Sequence, residues 1–349
     1  MTLGGKRVDT RQPYHYLVTG GAGFIGSHLV DSLLADGHWV TVLDNLSTGS
    51  MSNLERALTH PQFLFIQGSV VDPYVVDDAV SNADIVVHLA AAVGVEMIMQ
   101  KPLRSFHTNV RGSEIVLEAV HRYHRKVFMA STSEIYGKNT NVPLTEDSDR
   151  VIGPPTVTRW SYSTSKAVDE ILTNLYHAER GVDTVIARFF NTVGPRQSPA
   201  YGMVLPRLVQ QALLGEPLTV YGTGQQTRCF LHVSDAVRAI RLLLEDERAS
   251  GRTYNVGSSE EVTIQELATR VLEVTGSDSS IARMSYEAAF GADSGFEDMV
   301  RRVPDTTRLH DLTGWTPSLD LWQILEDTVS TTKRRIAHEI VPGTAGGVR

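Results

Sequence analysis

Two residues near the middle of the chain have the types and the spacing that acid–base chemistry needs. Tyr162 and Lys166 stand four positions apart in a segment, 161–180, whose pattern predicts a helix, so both side chains project from one helix face. A free tyrosine has a pKa of about 10, and a nearby ammonium group lowers it by stabilising the phenolate. Tyr162 is therefore predicted to act as a base towards a hydroxyl group, although such a pair also arises by chance on exposed helices.

The neighbouring segments favour an active site over a chance pair. The helix with Tyr162 follows a predicted strand, 126–130, which continues into Thr132, Ser133 and Glu134. It precedes another predicted strand, 183–187. Hydroxyl and carboxyl groups at a strand end are the side chains that proton transfer and charge stabilisation use.

A glycine-rich turn near the start of the chain has the pattern of a phosphate-binding loop. Its glycines follow the spacing G-x-x-G-x-x-G between a predicted strand, 16–19, and a predicted helix, 24–35. Glycine permits the tight turn and the close approach of the backbone to a diphosphate, and the helix start offers free N–H groups. The predicted cofactor contacts here are Gly20, Gly23, Phe24, Ile25 and Gly26.

Asp44 ends the second predicted strand, 40–43. A carboxylate at this place accepts hydrogen bonds from the adenosine ribose and repels a 2′-phosphate, so NAD is favoured over NADP. The alternative is a helix-capping aspartate. Further cofactor contacts are predicted for the loop residues Asn45, Ser47 and Gly49, for Ser69 and Val70 near the adenine, and for Leu89, Ala90 and Ala91 against the cofactor backbone.

The order of predicted elements indicates an α/β fold, a Rossmann-type doubly wound parallel sheet with a smaller C-terminal substrate-binding lobe. Near-continuous apolar strands alternate with helices up to residue 190, and shorter elements punctuated by Gly and Pro follow. The predicted divisions are a disordered leader, 1–13, an NAD-binding domain, 14–190, with return segments near 228–258, a nucleotide-sugar-binding lobe, 191–340, and a flexible tail, 341–349.

Composition excludes several classes of function. The net charge of -8 argues against a nucleic-acid partner, and no apolar run is long enough to span a bilayer. The single cysteine, Cys229, fits a reducing, cytoplasmic location. The 12 histidines are scattered without metal-ligand spacing, so no metal site is predicted.

Taken together, these motifs resemble the extended short-chain dehydrogenase/reductase family of NAD-dependent nucleotide-sugar epimerases and dehydratases. The resemblance covers about residues 15–335, and it implies that Thr132, Tyr162 and Lys166 form the catalytic triad. It also implies a tightly held NAD that is reduced and reoxidised within one cycle. A homodimer through two long helices, here near 103–123 and 161–180, is implied as well.

Within the family, several segments resemble UDP-glucuronate decarboxylases, including the decarboxylase domain of the bacterial polymyxin-resistance enzyme. The pair Ser133-Glu134 is also seen in GDP-mannose 4,6-dehydratases, and it argues against a plain epimerase. Arg302 matches the position of a catalytic arginine, whereas Phe296 stands where the decarboxylase has Tyr. Ser133, Glu134 and Arg302 are therefore predicted to surround the reacting carbon, with the role of Glu134 left open as acid, base or positioning group.

The resemblance extends to segments that contact the nucleotide of the substrate. The residues predicted to bind it are Asn191, Arg196, Val204, Leu205, Tyr221, Arg228 and Arg302. Of these, Arg228 and Arg302 are candidates to clamp the diphosphate through planar guanidinium groups, with surface ion pairs as the alternative.

The hypothesis for the reaction begins with oxidation of a UDP-linked sugar at C4. Tyr162 takes the proton of the 4-hydroxyl while C4 gives hydride to NAD, and Lys166 holds the phenolate and binds the nicotinamide ribose. Tyr162 and Lys166 are thus also predicted to contact the cofactor. If the sugar is a uronic acid, the ketone lies β to the carboxylate, and loss of carbon dioxide followed by re-reduction gives UDP-xylose. A 4-epimerase, a 4,6-dehydratase and a non-catalytic dinucleotide-binding regulator remain the alternatives.

Overall fold

A computed structural model describes residues 13–94, 101–199, 203–291 and 297–340. The predicted tail, the predicted leader up to residue 12 and Phe296 lie outside the described residues. Within them, no helix combines the length and the apolar character that a membrane span requires.

A seven-stranded sheet forms the centre of the fold, and all of its strands run parallel. Its order is β3-β2-β1-β4-β5-β6-β11. The strands are β1 His15–Thr19, β2 Trp39–Asp44, β3 Phe63–Gln67, β4 Ile85–His88, β5 Lys126–Thr132, β6 Thr184–Phe189 and β11 Arg252–Val256. The predicted Rossmann-type sheet is thereby confirmed, and the last strand comes from the predicted return segment.

Helices cover both faces of the sheet because successive strand side chains point to opposite sides. They are α1 Phe24–Ala35, α2 Pro73–Ser81, α3 Pro102–Tyr123, α4 Trp160–Arg180 and α6 Val233–Glu245. In β1, Val18 packs into the apolar cluster shared with α1 and α6, whereas Leu17 packs into the cluster shared with α2 and α3. Two cores therefore hold the sheet from either side.

A third apolar cluster lies in the second half of the chain. It joins three helices, through residues such as Leu208, Leu267 and Ile324, with the short strands beside them. The helices here are α5 Val204–Leu214, α7 Ile264–Thr275, α8 Tyr286–Phe290, α9 Thr307–Thr313 and α10 Leu321–Ile340. The strands are β7 Thr192–Val193, β8 Leu218–Tyr221, β9 Thr227–Cys229, β10 Leu231–His232, β12 Glu261–Thr263 and β13 Ile281–Met284. The division at residue 190 stays a prediction.

The strand order places the predicted motifs at one edge of the sheet. The order reverses between β1 and β4, and a crevice opens outside the carboxyl ends of the strands at such a switch point. The glycine-rich turn follows β1, Asp44 ends β2, Leu89 follows β4 and Thr132 ends β5. Residues far apart in the sequence therefore meet at this crevice.

Candidate active site

The glycine-rich turn leaves the start of α1 open to a ligand. Gly20 has a φ of +71° in the left-handed region, and a Cβ there would lie 2.8 Å from the Ala90 amide nitrogen. Gly23 is the N-cap of α1 and, having no side chain, caps none of the amides of the first helical turn, which begins with Phe24 and Ile25. Free amides at a helix start next to bare backbone form a cradle that suits a diphosphate.

Asp44 faces this cradle from the end of β2. Its Oδ2 accepts a hydrogen bond from the Ala22 amide at 3.0 Å, and its Oδ1 accepts one from the Leu46 amide at 2.8 Å. Burial raises the pKa of Asp44, and the two amide hydrogen bonds oppose that shift. The carboxylate is thus fixed to the glycine-rich turn itself, and its remaining lone pairs suit ribose hydroxyls.

The other predicted cofactor residues lie at the same edge of the sheet and differ in how far they are exposed. Asn45 and Ser47 are exposed and joined by a hydrogen bond from the Ser47 amide to Asn45 Oδ1, at 3.0 Å. A Cβ on Gly49 would lie 2.9 Å from the Ala22 carbonyl carbon, so this loop passes close to the turn. Ser69 and Ala91 are half-buried, whereas Val70 is buried. These placements are compatible with a dinucleotide, and the individual contacts stay predictions.

Replacement of Gly26 by alanine is expected to lower the NAD content of the purified protein at least about tenfold. The new Cβ would fall on the Gly20 carbonyl oxygen, which is backbone and cannot swing aside, so the turn would have to deform. Absorbance of the cofactor released on denaturation measures this. Ser32→Ala, on the same helix, is the control and should keep its NAD; equal NAD content in Gly26→Ala would contradict the prediction.

The predicted triad is assembled beside this cradle. Tyr162 lies in the first turn of α4, and the Thr132 side chain at the end of β5 is a neighbour that lowers the pKa of its phenol. Burial raises the pKa of Tyr162, as do Glu134 and Asp169, while Arg159 and Thr132 oppose that rise. The chain alone therefore keeps this phenol protonated at neutral pH.

Lys166 has a partner that the sequence interpretation did not consider. Its Nζ lies 2.7 Å from Asp169 Oδ2, and both side chains are buried. The other oxygen of Asp169 has no hydrogen-bond partner among the described residues. The charge expected to stabilise the Tyr162 phenolate is thus offset by a carboxylate one helical turn away.

Uncharged polar side chains form hydrogen bonds beside the N-terminal half of α4. Asn109 on α3 donates to Ser165 Oγ at 3.2 Å and accepts from the Ala92 amide at 2.8 Å. His88 is buried between the hydroxyls of Thr19 and Ser113, and burial, aided by the charge of Lys166, lowers its pKa to about 3. His88 is therefore neutral and structural, as its place at a strand end suggests.

Replacement of Asp169 by asparagine is expected to move the acid limb of the pH–rate profile to lower pH. The Asp169 carboxylate raises the pKa of Tyr162, so removal of its charge lowers that pKa and the base ionises at lower pH. The measurement is kcat/KM against pH for the NAD-loaded enzyme. Asp183→Asn, a half-exposed carboxylate beside Lys126, is the control; an unmoved limb in Asp169→Asn would show a structural role alone.

Glu134 lies between two arginines in the same pocket. Arg159 reaches both of its oxygens, with Nη2 2.8 Å from Oε1 and Nη1 2.5 Å from Oε2. Arg302 donates to Oε1 at 3.0 Å and to Ser133 Oγ at 3.2 Å. Burial alone would raise the pKa of Glu134, but the two guanidinium groups outweigh it and lower the pKa to about 2. Glu134 is consequently a carboxylate at neutral pH.

Local structure explains how these groups come together. The Thr132 hydroxyl accepts from the Glu134 amide at 3.2 Å and begins a short 3-10 helix, Ser133–Tyr136, that turns Glu134 towards α4. Arg302 is held in place because the Leu144 amide donates to the Val303 carbonyl at 2.8 Å. This contact between segments far apart in the sequence places Arg302 next to the end of β5.

The residues predicted to bind the substrate nucleotide are spread over several environments. Arg228 is buried and pairs with Asp298 at 2.6 Å, and Arg196 pairs with Asp31 at 2.6 Å. The Tyr221 ring lies 4.4 Å from the guanidinium carbon of Arg207.

Asn191 donates to the Cys229 carbonyl at 2.9 Å. Val204 and Leu205 begin α5, and the Leu205 side chain is fully buried in the third apolar cluster. The contacts of these residues with the nucleotide stay predictions.

Two charged residues of the pocket were missed by the sequence interpretation, although a local signal exists for each. Arg159 precedes Tyr162 by three positions and Asp169 follows Lys166 by three, a spacing that places side chains on one face of a helix.

Among the described residues, no group of three side chains suitable for a metal ion lies together.

Comparisons with known proteins agree with this geometry. Residues 16–257 match the model of the NAD dependent epimerase/dehydratase family. The chain is 40% identical over 314 residues to a UDP-N-acetyl-alpha-D-glucosaminuronate decarboxylase of Bacillus cytotoxicus, covering 90% of this chain and 96% of that protein. It is 36% identical over 337 residues to UDP-glucuronic acid decarboxylase 1 of Xenopus tropicalis, covering 96% of this chain and 76% of that protein.

Solved structures show the same fold. A UDP-glucose 4-epimerase of Thermotoga maritima, with UDP-glucose, superposes with a TM-score of 0.82 at 31% identity, covering 92% of this chain and 99% of that one. A dTDP-glucose 4,6-dehydratase of Streptomyces venezuelae, with NAD bound, gives a TM-score of 0.83 at 30% identity, covering 93% and 98%. The expectations of an enzyme and of an NAD cofactor are confirmed. The chain belongs to the NAD-dependent epimerase/dehydratase family.

Proposed function

We propose that the chain is a UDP-glucuronate decarboxylase, which converts UDP-glucuronate into UDP-xylose and carbon dioxide. The observation that carries the proposal is the position of the buried Arg302. It donates hydrogen bonds to Ser133 and Glu134, the two residues that follow the triad residue Thr132 in the sequence. A guanidinium group at the reacting end of the pocket suits the planar carboxylate of a uronic acid. The similarity to decarboxylases of two different uronic acids supports the same reaction.

In this mechanism each side chain has a separate task. The glycine-rich turn and Asp44 would hold NAD, which would supply a reversible hydride acceptor for sugar C4 and a positive ring that favours the Tyr162 phenolate. Tyr162 removes the proton of the 4-hydroxyl, and Thr132, which also acts on the phenol, hydrogen-bonds near O4. Arg302 orients the carboxylate for loss of carbon dioxide, since the adjacent ketone accepts the electron pair as an enolate. C5 then takes one proton from solvent, and Tyr162 returns its proton to O4 on re-reduction, so the sugar loses one carbon as carbon dioxide and C4 is a hydroxyl-bearing carbon again.

The surroundings of Glu134 favour a positioning role in this reaction. Two guanidinium groups keep it ionised, with its pKa lowered to about 2, so it has no proton to give at neutral pH. It is also held away from a role as base, because both of its oxygens face arginines. We therefore assign it to the orientation of Arg302.

The mass of the product formed from UDP-glucuronate tests the proposal. Loss of carbon dioxide is the expected result, and no NAD need be added if the cofactor is tightly held and recycled. Loss of water would instead indicate a dehydratase, and unchanged mass with altered stereochemistry an epimerase; either would overturn the decarboxylase assignment. Absence of any hydride chemistry across a panel of nucleotide sugars would favour a non-catalytic regulator.

UDP-N-acetylglucosaminuronate is a second candidate substrate for the same reaction. The 40% identity to a decarboxylase of this sugar over 90% of the chain favours it. Both sugars carry the carboxylate that Arg302 would orient, and they differ in the substituent at C2. The ratio of kcat/KM for the two substrates decides between them.

We also propose that the enzyme is a cytoplasmic homodimer formed through α3 and α4. These helices pack against each other and expose Leu103, Ile171 and Leu175. Burial of such side chains is the main driving force of association. Light scattering on the purified protein should give twice the chain mass, and Ile171→Glu should lower the measured mass towards that of one chain.

The proposed cytoplasmic location rests on the single cysteine, Cys229, which is buried.

A further inference from the structure

The pocket around Glu134 contains more positive than negative charge. Glu134 is shared by Arg159 and Arg302, but unequally: Arg159 spans both carboxylate oxygens, while Arg302 reaches Oε1 alone, at 3.0 Å. All three side chains are largely buried, with exposed fractions of 3% for Arg159, 7% for Arg302 and 14% for Glu134. These three side chains therefore carry two positive charges and one negative charge.

The charges nearest to this cluster do not offset the surplus, because they form balanced pairs of their own. The pairs are Arg228 with Asp298 at 2.6 Å, Lys166 with Asp169 at 2.7 Å and Lys138 with Glu297 at 3.0 Å. Within the described part of the chain, the surplus charge thus stays with Arg159, Glu134 and Arg302. A buried charge without a counter-ion is unfavourable, so an anion from outside the chain is favoured here.

The surplus falls on Arg302 and not on Arg159. Arg159 reaches both carboxylate oxygens of Glu134, whereas Arg302 reaches only Oε1, at 3.0 Å. Burial lowers the pKa of Arg302 to about 10, whereas Glu134 outweighs burial and raises the pKa of Arg159. Arg159 takes most of the negative charge of Glu134, which leaves the Arg302 guanidinium in need of an anion.

We propose that Arg159 determines specificity for a carboxylated sugar from a distance, by occupying Glu134 so that Arg302 stays available to the substrate. Arg159 is thus a positioning residue. The inference rests on the proposed function, in which the carboxylate of the uronic acid is the anion that Arg302 receives. Its consequence is that loss of Arg159 would leave the whole charge of Glu134 to Arg302, and these two side chains together would become neutral.

Binding measured with two sugars that differ in this one charge tests the inference. The NAD-loaded Tyr162→Phe enzyme serves as the parent, so that UDP-glucuronate is not consumed during calorimetry. Arg159→Met is expected to weaken binding of UDP-glucuronate by about tenfold and to leave binding of UDP-glucose within about twofold. Intact UDP-glucose binding also reports that the variant is folded.

A second substitution separates charge balance from a merely structural role. Glu134→Gln added to Arg159→Met removes one charge of each sign, so Arg302 again carries the surplus, and the preference for UDP-glucuronate should return. Equal weakening of both sugars by Arg159→Met, or no recovery in the double variant, would overturn the inference. If the parent itself shows no preference for UDP-glucuronate, the proposed function fails, and the inference fails with it.

Discussion

Replacement of Tyr162 by phenylalanine is expected to slow turnover of the sugar by about 10²–10⁴-fold. The substitution removes the phenol oxygen alone, and the ring remains packed at the start of α4. Thr132 lowers the pKa of this phenol, and the proton of the phenol is the one exchanged with the substrate hydroxyl in the proposed reaction. The loss should therefore appear in kcat, while NAD content stays that of the unchanged enzyme.

A second tyrosine of the same helix provides the control for this prediction. Tyr176 is half-buried near the far end of α4, and its ring packs near His121 on α3. Tyr176→Phe should keep the rate within about twofold, because it removes a phenol oxygen outside the site. A rate within tenfold of the unchanged enzyme in Tyr162→Phe would contradict the assignment of this residue as the base.

The sheet was predictable because parallel strands buried on both faces are recorded in the sequence as short apolar runs. The helix over 24–35 has its predicted bounds, and the strand predicted over 183–187 begins at Thr184 and continues to Phe189. The final strand, Arg252–Val256, was placed only within a broad return segment. Its run is short and polar at its start, so its partner β6 decides its position.

The site was predictable where its chemistry is local in the sequence. Tyr162 and Lys166 share a helix turn, and the glycine spacing is contiguous. The contact of Arg302 with Glu134 joins residues 168 positions apart, and no periodicity predicts such a contact. The resemblance to a family suggested the position of Arg302, whereas the fold determines that Arg159 competes for the same carboxylate.

Electrostatic balance was the least predictable property. Lys166 was expected to act on Tyr162 as an isolated charge, but Asp169 lies 2.7 Å from it. The effect of a charge depends on every neighbour within a few ångströms and on burial, which residue type and spacing do not give. Charged residues three or four positions from a candidate base therefore help to set the pKa of that base.

A buried ion pair between Arg188 and Glu170 lies next to β5, the strand that ends at Thr132. Arg188 on β6 donates to both oxygens of Glu170 on α4, at 2.9 and 2.7 Å, and to Tyr136 Oη at 2.8 Å. Ser131, the residue before Thr132, donates to Glu170 Oε1 at 2.5 Å. The pair thereby ties β5, β6 and α4 together one helical turn beyond Lys166.

Replacement of Glu170 by glutamine is expected to lower the free energy of unfolding by about 3–5 kcal/mol, because it leaves the buried Arg188 guanidinium without its counter-ion. Denaturant unfolding of the NAD-free protein measures this. Glu179→Gln, exposed on the same helix, should change stability by less than about 0.5 kcal/mol. A loss equally small in Glu170→Gln would show that the pair is not required.

The double variant Glu170→Gln, Arg188→Met separates the ion pair from the packing around it. It removes the unpaired charge as well, so it should recover at least half of the stability that the single substitution loses. Its turnover should nevertheless stay low, because Ser131 loses its charged acceptor and Thr132 follows it directly on β5. Recovery of stability without recovery of kcat would mean that this pair serves mainly to hold the catalytic threonine against Tyr162.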